Sequence, residues 1–180
     1  MSDLKQTAPA EPVVITYLQM FERPAELNLV PPGDDLSIVQ AKPPTISFYR
    51  YLYDTVGGGW QWIDRRVMND DTLGAIVQHP LVETHVLYAS GTPAGYAELD
   101  RRQPSEIELA YFGLIPEFIG RGLGRYLLDW AIDRAWSYGP QRFWVHTCTL
   151  DHPKALPNYE RAGFRVYRRE EKRSKGEEEE

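Results

Sequence analysis

Between Glu106 and Tyr138 the hydrophobic pattern of the sequence changes from strand-like to helix-like across a few residues, and this passage most limits how the chain folds. Glu106 to Ile115 alternates and is ended by Pro116, the pattern of a strand. On alternation alone, Ile107, Leu109, Tyr111, Gly113 and Ile115 share one face, and Glu108, Ala110, Phe112 and Leu114 the other. Gly120-Arg121-Gly122-Leu123-Gly124 follows directly. From there to about Tyr138, Leu123, Leu127, Trp130, Ala131 and Arg134 form one stripe, widened by Leu128, Ile132 and Ala135. Gly139-Pro140 breaks that helix. A strand joined to a helix through glycines belongs to a layered α/β architecture.

The remaining elements fit around this unit. Val13 to Leu18, rich in β-branched residues, opens as a strand. Arg23 to Pro44 holds five prolines and leaves room only for short pieces of structure. Ser47 is placed to cap a helix running through Val56, and Asn69-Asp70 to cap a second from Asp71 to Gln78. Thr84 to Ser90 and Ala94 to Asp100 read as a hairpin turning at Gly91-Thr92-Pro93. A strand over Arg142 to Thr147, a helix over His152 to Ala162 and a strand over Gly163 to Arg169 close the chain. The expected order is β-α-α-β-β-β-α-β-α-β, a mixed, mainly antiparallel sheet flanked by helices. One domain is expected over residues 13–169, with a disordered arm at 1–12 and a charged, solvated tail at 170–180.

Charge and cysteine content remove several functions. Against 20 Lys and Arg stand 26 Asp and Glu, a net charge of −6, and the arginine doublets are scattered. Nucleic-acid binding by phosphate neutralisation needs a basic face, so no nucleic-acid partner is expected. No apolar run approaches the roughly 20 residues of a membrane span, so none is expected in a membrane. Met1 to Pro12 lacks the apolar core of a secretory signal. A single cysteine, Cys148, excludes an intrachain disulfide and fits a reducing compartment, so a cytoplasmic location is expected.

The glycine loop is where chemistry is expected. Its glycines let backbone approach a ligand, and the first N–H groups of the following helix lack internal partners. With the helix dipole they make an anion site suited to phosphate or pyrophosphate, and Arg121 and Arg125 add positive charge. Neither a dinucleotide fingerprint nor a P-loop fits: Arg125 stands three residues after Gly122, and no GK[ST] follows. Ile119-Gly120-Arg121-Gly122-Leu123-Gly124, preceded by Leu114-Ile115-Pro116, resembles the acyl-CoA signature of the GNAT N-acetyltransferase superfamily. Ile119 stands where that signature has Gln or Arg. Ala155, Tyr159, Gly163 and Phe164 match the second motif of the same family, with His152 in its asparagine position. The resemblance covers about residues 80–169.

The resemblance implies acetyl transfer from acetyl-CoA to an amine, without a covalent enzyme intermediate and without a metal. It implies that the strand bearing Phe112 and Leu114 parts from the strand at Arg142 to Thr147. Backbone at Phe112 and Leu114, the loop Ile119, Gly120, Arg121, Gly122, Leu123, Gly124 and Arg125, and His152 then hold the cosubstrate. Tyr159 takes the family's general-acid position, and Glu108 matches the catalytic glutamate of the histone-acetylating branch; Glu98 on the neighbouring strand is a rival. Counted by alternation, Glu108 shares a strand face with Leu114. The acceptor, a small molecule or a protein lysine, is expected near Phe48, Tyr49, Tyr51, Tyr53, Trp60 and Trp62, which otherwise simply pack the helix. Homodimers are a habit of the family. His146, Cys148 and His152 lack a fourth metal ligand nearby, and a GxSxG nucleophile motif is missing. The competing functions are an acyl-CoA-binding module without transferase activity and a nucleotide-phosphate site at the same loop.

Overall fold

The structure, a computed structural model, describes residues 12–172. The expected arm at 1–12 falls almost wholly outside the described residues, as does most of the expected tail. The described chain forms β1 (Val13–Met20), β2 (Leu36–Ala41), α1 (Ile46–Gly57), α2 (Asp70–Val77), β3 (Val82–Ala89), β4 (Thr92–Asp100), β5 (Glu106–Leu114), α3 (Leu123–Trp136), β6 (Arg142–Cys148), α4 (Ala155–Arg161) and β7 (Arg165–Lys172). Single 3-10 turns lie at Gly58–Trp60 and Pro116–Phe118. The strands form one sheet in the order β2-β3-β4-β5-β6-β1-β7. Only β5 and β6 pair in parallel, which the α3 crossover between them requires.

The expected order lacked one strand. β2 lies inside the proline-rich stretch, where its six residues pair along their whole length with β3, from Leu36↔Ala89 to Ala41↔Thr84. The five prolines of that stretch, Pro24, Pro31, Pro32, Pro43 and Pro44, all fall outside the strand, so none removes a ladder donor. The cap of α1 is Thr45 rather than Ser47, its hydroxyl accepting from the Phe48 N–H at 3.3 Å. Asn69 caps α2 as expected, accepting from Thr72 N–H at 2.8 Å. The hairpin turns one residue earlier than expected: Ala89 pairs with Thr92, and Ser90 and Gly91 both have positive φ, 48° and 77°. That is the two-residue turn whose twist suits antiparallel strands. The last strand runs past Arg169 to Lys172, because β1 extends far enough to pair Val13 with Lys172.

Two apolar layers cover the sheet. On one face, Leu127, Leu128, Ala131 and Ile132 of α3 pack with Leu99, Leu109, Phe143, Val145 and Phe164. On the other, Tyr49, Leu52, Tyr53 and Val56 of α1 and Leu73 and Val77 of α2 pack on Val86 and Tyr96. The segment joining β1 to β2 climbs along α3 from its end to its start. Arg23 pairs with Asp133 at 2.8 Å, the Asn28 N–H donates to Asp129 at 2.9 Å, and Pro32 lies against Gly122.

Candidate active site

One extra residue in β5 prepares the site. Leu99 pairs with Leu109 and Glu98 with Tyr111, so Ala110 has no partner on β4 and forms a β-bulge. The bulge inverts the alternation expected from sequence. Leu109 and Ile107 join the α3-side core, and so do Phe112 and Leu114, whereas Tyr111 and Ile115 join the α1-side core. The expectation that Glu108 shares a face with Leu114 is therefore incorrect. A one-residue insertion moves everything beyond it to the other side of the sheet.

The bulge is also where β5 leaves its parallel neighbour. Pairing with β6 runs from Glu106↔Arg142 to Leu109↔Val145 and stops. Beyond it, Tyr111 to Leu114 pair only with β4, while His146 to Cys148 pair only with β1. A wedge between two strands results, with backbone polar groups along both sides that need partners from elsewhere. The end of β5 leads through the turn at Pro116–Phe118 into α3, so the helix start sits at the open end of the wedge.

Among the described residues no side chain caps α3. Its N-cap is Gly122 at φ 76°, and Gly120 precedes it at φ 88°. Both values lie in the left-handed region that side chains disfavour, so glycine here is a backbone requirement. The first N–H groups of α3 consequently face outward with neither a capping oxygen nor an intrahelical acceptor. Ile119 is 42% exposed beside them. The Arg121 guanidinium lies 5.2 Å from the Phe118 ring, and Arg125 turns back along the helix to Asp129 at 2.8 Å. Asp129 is buried, with one carboxylate oxygen taken by Arg125 and Asn28 and the other unpartnered.

Tyr159, from α4, is buried against the wedge, its ring 6.1 Å from Phe112 and 5.9 Å from Phe164. Burial, and secondarily the nearby Asp151 carboxylate, raises its pKa well above that of an ordinary phenol. The hydroxyl therefore stays protonated throughout the neutral range. Asp151 itself, which sequence reasoning missed, organises the loop after β6. One oxygen accepts from Thr147 Oγ1 at 2.7 Å and the Cys148 N–H at 2.8 Å, and the other accepts from Trp62 Nε1 at 3.1 Å. Two of its partners are the residues three and four positions before it, but Trp62 comes from the loop after α1, a contact that no local pattern marks.

That tryptophan belongs to the loop after α1, which crosses the open end of the wedge. Trp62 packs 5.4 Å from Tyr53 and 5.2 Å from Tyr111, and Trp60 lies 4.8 Å from the His152 ring. His152 Nδ1 also accepts from the Lys154 N–H at 3.1 Å. The aromatic cluster divides: Tyr49 and Tyr53 are core, while Trp60 and Trp62 reach the β6–α4 loop. A buried ion pair fixes this loop from beneath. Arg65 meets Glu98 at 2.8 Å, with side-chain exposures of 8% and 0%. Tyr49 donates to the same carboxylate at 2.5 Å, and the Arg65 N–H donates to the Tyr53 hydroxyl at 3.2 Å. Glu98, the rival for proton chemistry, is thus sealed in an ion pair.

Among the described residues no group of three His, Cys, Asp or Glu is arranged to hold a metal, and no helix is long and apolar enough to cross a membrane. A family model for the acetyltransferase (GNAT) family matches residues 45–164.

The chain belongs to the GNAT acetyltransferase family.

Solved structures agree at the level of fold. The GNAT domain is similar to a GCN5-related N-acetyltransferase from Sphaerobacter thermophilus, at 15% identity and TM-score 0.64 over 90% of this chain and 50% of that one. It is also similar to an acetyltransferase of the family from Novosphingobium aromaticivorans, at 21% identity and TM-score 0.58 over 91% and 66%. A third is an aminoglycoside acetyltransferase from an uncultured soil metagenomic sample, at 12% identity and TM-score 0.59 over 72% and 88%. This chain spans 50% to 60% of the length of several such structures. Among curated proteins none matches it.

The family uses an acyl-CoA cosubstrate, and the residues of this GNAT domain suit one. A wedge lined by unpaired backbone accommodates a slender amide-bearing arm, and outward helix N–H groups suit a diphosphate. Both family motifs fall on this feature, the first on the turn into α3 and the second on α4, with Tyr159 against Phe112.

Proposed function

We propose that this chain transfers an acetyl group from acetyl-CoA to a primary amine by direct attack in a ternary complex. The observation that carries this reading is the end of β5–β6 pairing at Leu109↔Val145, beside the uncapped start of α3. In this reading the backbone of Phe112 and Leu114 binds the pantetheine arm, and the Leu114 N–H polarises the thioester carbonyl. Such a donor is typically worth about 3 kcal/mol in the transition state. Ile119, Gly120, Arg121, Gly122, Leu123, Gly124 and Arg125 hold the diphosphate, and His152 flanks the cosubstrate where the loop carrying Trp60 meets it. Tyr159 donates its proton to the departing sulfur. Burial keeps that phenol protonated, and the same burial makes a thiolate more basic than the ~8.5 of a free thiol, which favours the transfer.

The acceptor enters from the α1 side, between Trp60, Trp62 and Tyr111. A net charge of −6 favours a cationic amine at long range. An aminoglycoside acetyltransferase among the structural neighbours has an acceptor of that kind, and a small polyamine or a protein lysine has the same chemistry. Action in the cytoplasm, with homodimer formation, belongs to this reading, and the one unpaired cysteine suits such a location.

Thermal unfolding with acetyl-CoA, NAD or ATP, followed by thiol release with spermidine, tyramine, kanamycin and a lysine peptide, tests the proposal. Acetyl-CoA alone should raise Tm, and at least one amine should accelerate thiol release. Tyr159→Phe should lower turnover about 100-fold with acetyl-CoA affinity unchanged. Protection by acetyl-CoA without transfer to any amine would instead establish an acyl-CoA-binding module.

A further inference from the structure

We propose that His146, held by Glu108, is the general base that takes the proton from the acceptor amine. This rests on the acetyl-transfer reading above. The sequence marked Glu108, with Glu98 as its rival, and counted Glu108 on the same strand face as Leu114; His146 stood out only as part of an incomplete metal set.

The position is set by the sheet. Val145 is the last β6 residue paired with β5, and His146 is the next, so His146 stands at the point where the wedge opens. Phe143 and Val145 fill the α3-side core, and alternation places Trp144 and His146 on the opposite face, the one from which the acceptor is proposed to enter. Glu108 pairs with Trp144 two residues before the bulge and lies on that same face, because Leu109 is directed into the α3-side core. Its Oε1 is 3.3 Å from His146 Nδ1, and the two side chains are 22% and 44% exposed. Nothing in the folding core requires this pair: it sits beside the wedge, open to solvent.

The chemistry follows from which nitrogen faces the carboxylate. Nδ1 beside Glu108 favours the tautomer protonated there, which leaves the Nε2 lone pair as the base. An imidazole nitrogen within reach of the amine is a common general base in proton transfers of this kind. The other charged and titratable groups around it are held apart. Tyr17 on β1, 5.6 Å away, donates to Glu170 at 3.1 Å and carries the Arg168 guanidinium on its ring at 4.1 Å. Arg142 lies 5.5 Å from the Trp144 ring, which is itself 6.2 Å from His146. Glu108 is therefore the charge in direct contact with the imidazole.

In the step, one ammonium proton passes to His146 Nε2 and the freed nitrogen lone pair attacks the thioester carbonyl carbon. When the adduct collapses, the C–S bond breaks with its electron pair on sulfur, and sulfur takes the proton of Tyr159. The nitrogen gives up a second proton, which restores Tyr159 through solvent, and His146 releases the first to water. One C–N bond forms, one C–S bond breaks, and one proton is released per turnover.

The test compares wild type, His146→Ala and Glu108→Gln with acetyl-CoA and the best amine of the panel above, with and without added imidazole. His146→Ala should lose about 100-fold in turnover at pH 7, imidazole should restore at least about tenfold of that, and protection by acetyl-CoA against heat should be unchanged. Glu108→Gln should lose about tenfold without rescue. Turnover of His146→Ala within about threefold of wild type, or a loss that imidazole does not restore, would overturn the assignment. If acetyl-CoA protects the wild type but no amine is acetylated, this inference falls and cosubstrate binding stands. If acetyl-CoA gives no protection, both fall.

Discussion

Glu83 and Glu98 are both buried carboxylates, and their surroundings move them in opposite directions. At Glu98 burial raises the pKa, with Arg65 and Tyr49 pulling it back. At Glu83 burial also acts upward, but hydrogen bonds from His85, Tyr138 and Arg134 outweigh it and bring the pKa down to about 2. Glu83 meets His85 at 2.7 Å, Arg101 at 3.2 Å and Arg134 at 3.3 Å, tying β3 and β4 to the end of α3. A carboxylate whose folded pKa is depressed stabilises the fold above its unfolded value and loses that contribution as pH falls through the folded one. Urea unfolding between pH 5 and pH 2.5 should therefore show stability falling with acid below about 4.5, and Glu83→Gln should flatten the fall. A variant as acid-sensitive as the wild type would show that Glu83 is not responsible. None of this was legible in the sequence, since Glu83 looks like any polar residue of a strand until its four partners are assembled.

Among the elements, the loop after α1 shows how closely the acceptor side is fitted. A side chain on Gly57 would lie 2.4 Å from the Trp62 ring, nearer than real contacts allow, so that ring is seated directly on the helix end. Gly57→Ala should push Trp62 off its place and break its hydrogen bond to Asp151. The expected result is a blue or red shift in tryptophan emission and a KM for the amine raised about tenfold, with acetyl-CoA affinity little changed. Equal loss of acetyl-CoA affinity would contradict an acceptor-side role for this loop. The glycine loop, the Asn69 cap and the α3 stripe were readable because each acts over a few neighbouring residues, whereas the α1 cap fell on Thr45 rather than the expected Ser47. The bulge at Ala110 was not, because an inserted alanine changes register without changing composition. β2 was hidden for a related reason, its pairing with β3 overriding the prolines around it.

For the whole molecule, the least local feature is the position of the first strand. β1 lies between β6 and β7, antiparallel to both, so the start of the described chain joins the wedge-forming strand to the end of the fold. This placement pairs one side of β6 from Phe143 to Cys148 and concentrates its unpaired backbone on the side facing β5. Long-range pairing of this kind has no signal in the residues of β1, which specify only a strand with Leu18 and Met20 turned inward. The family's two motifs, by contrast, were visible in sequence, and the fold brings the elements that carry them to one wedge. The most direct test is an amide-resolved NMR titration of the chain with acetyl-CoA. The account predicts saturable shifts at Phe112, Leu114 and Ile119 to Arg125, with hydrogen exchange at Phe112 and Leu114 slowed on binding. Shifts confined to other elements, or no shift at saturating acetyl-CoA, would contradict it.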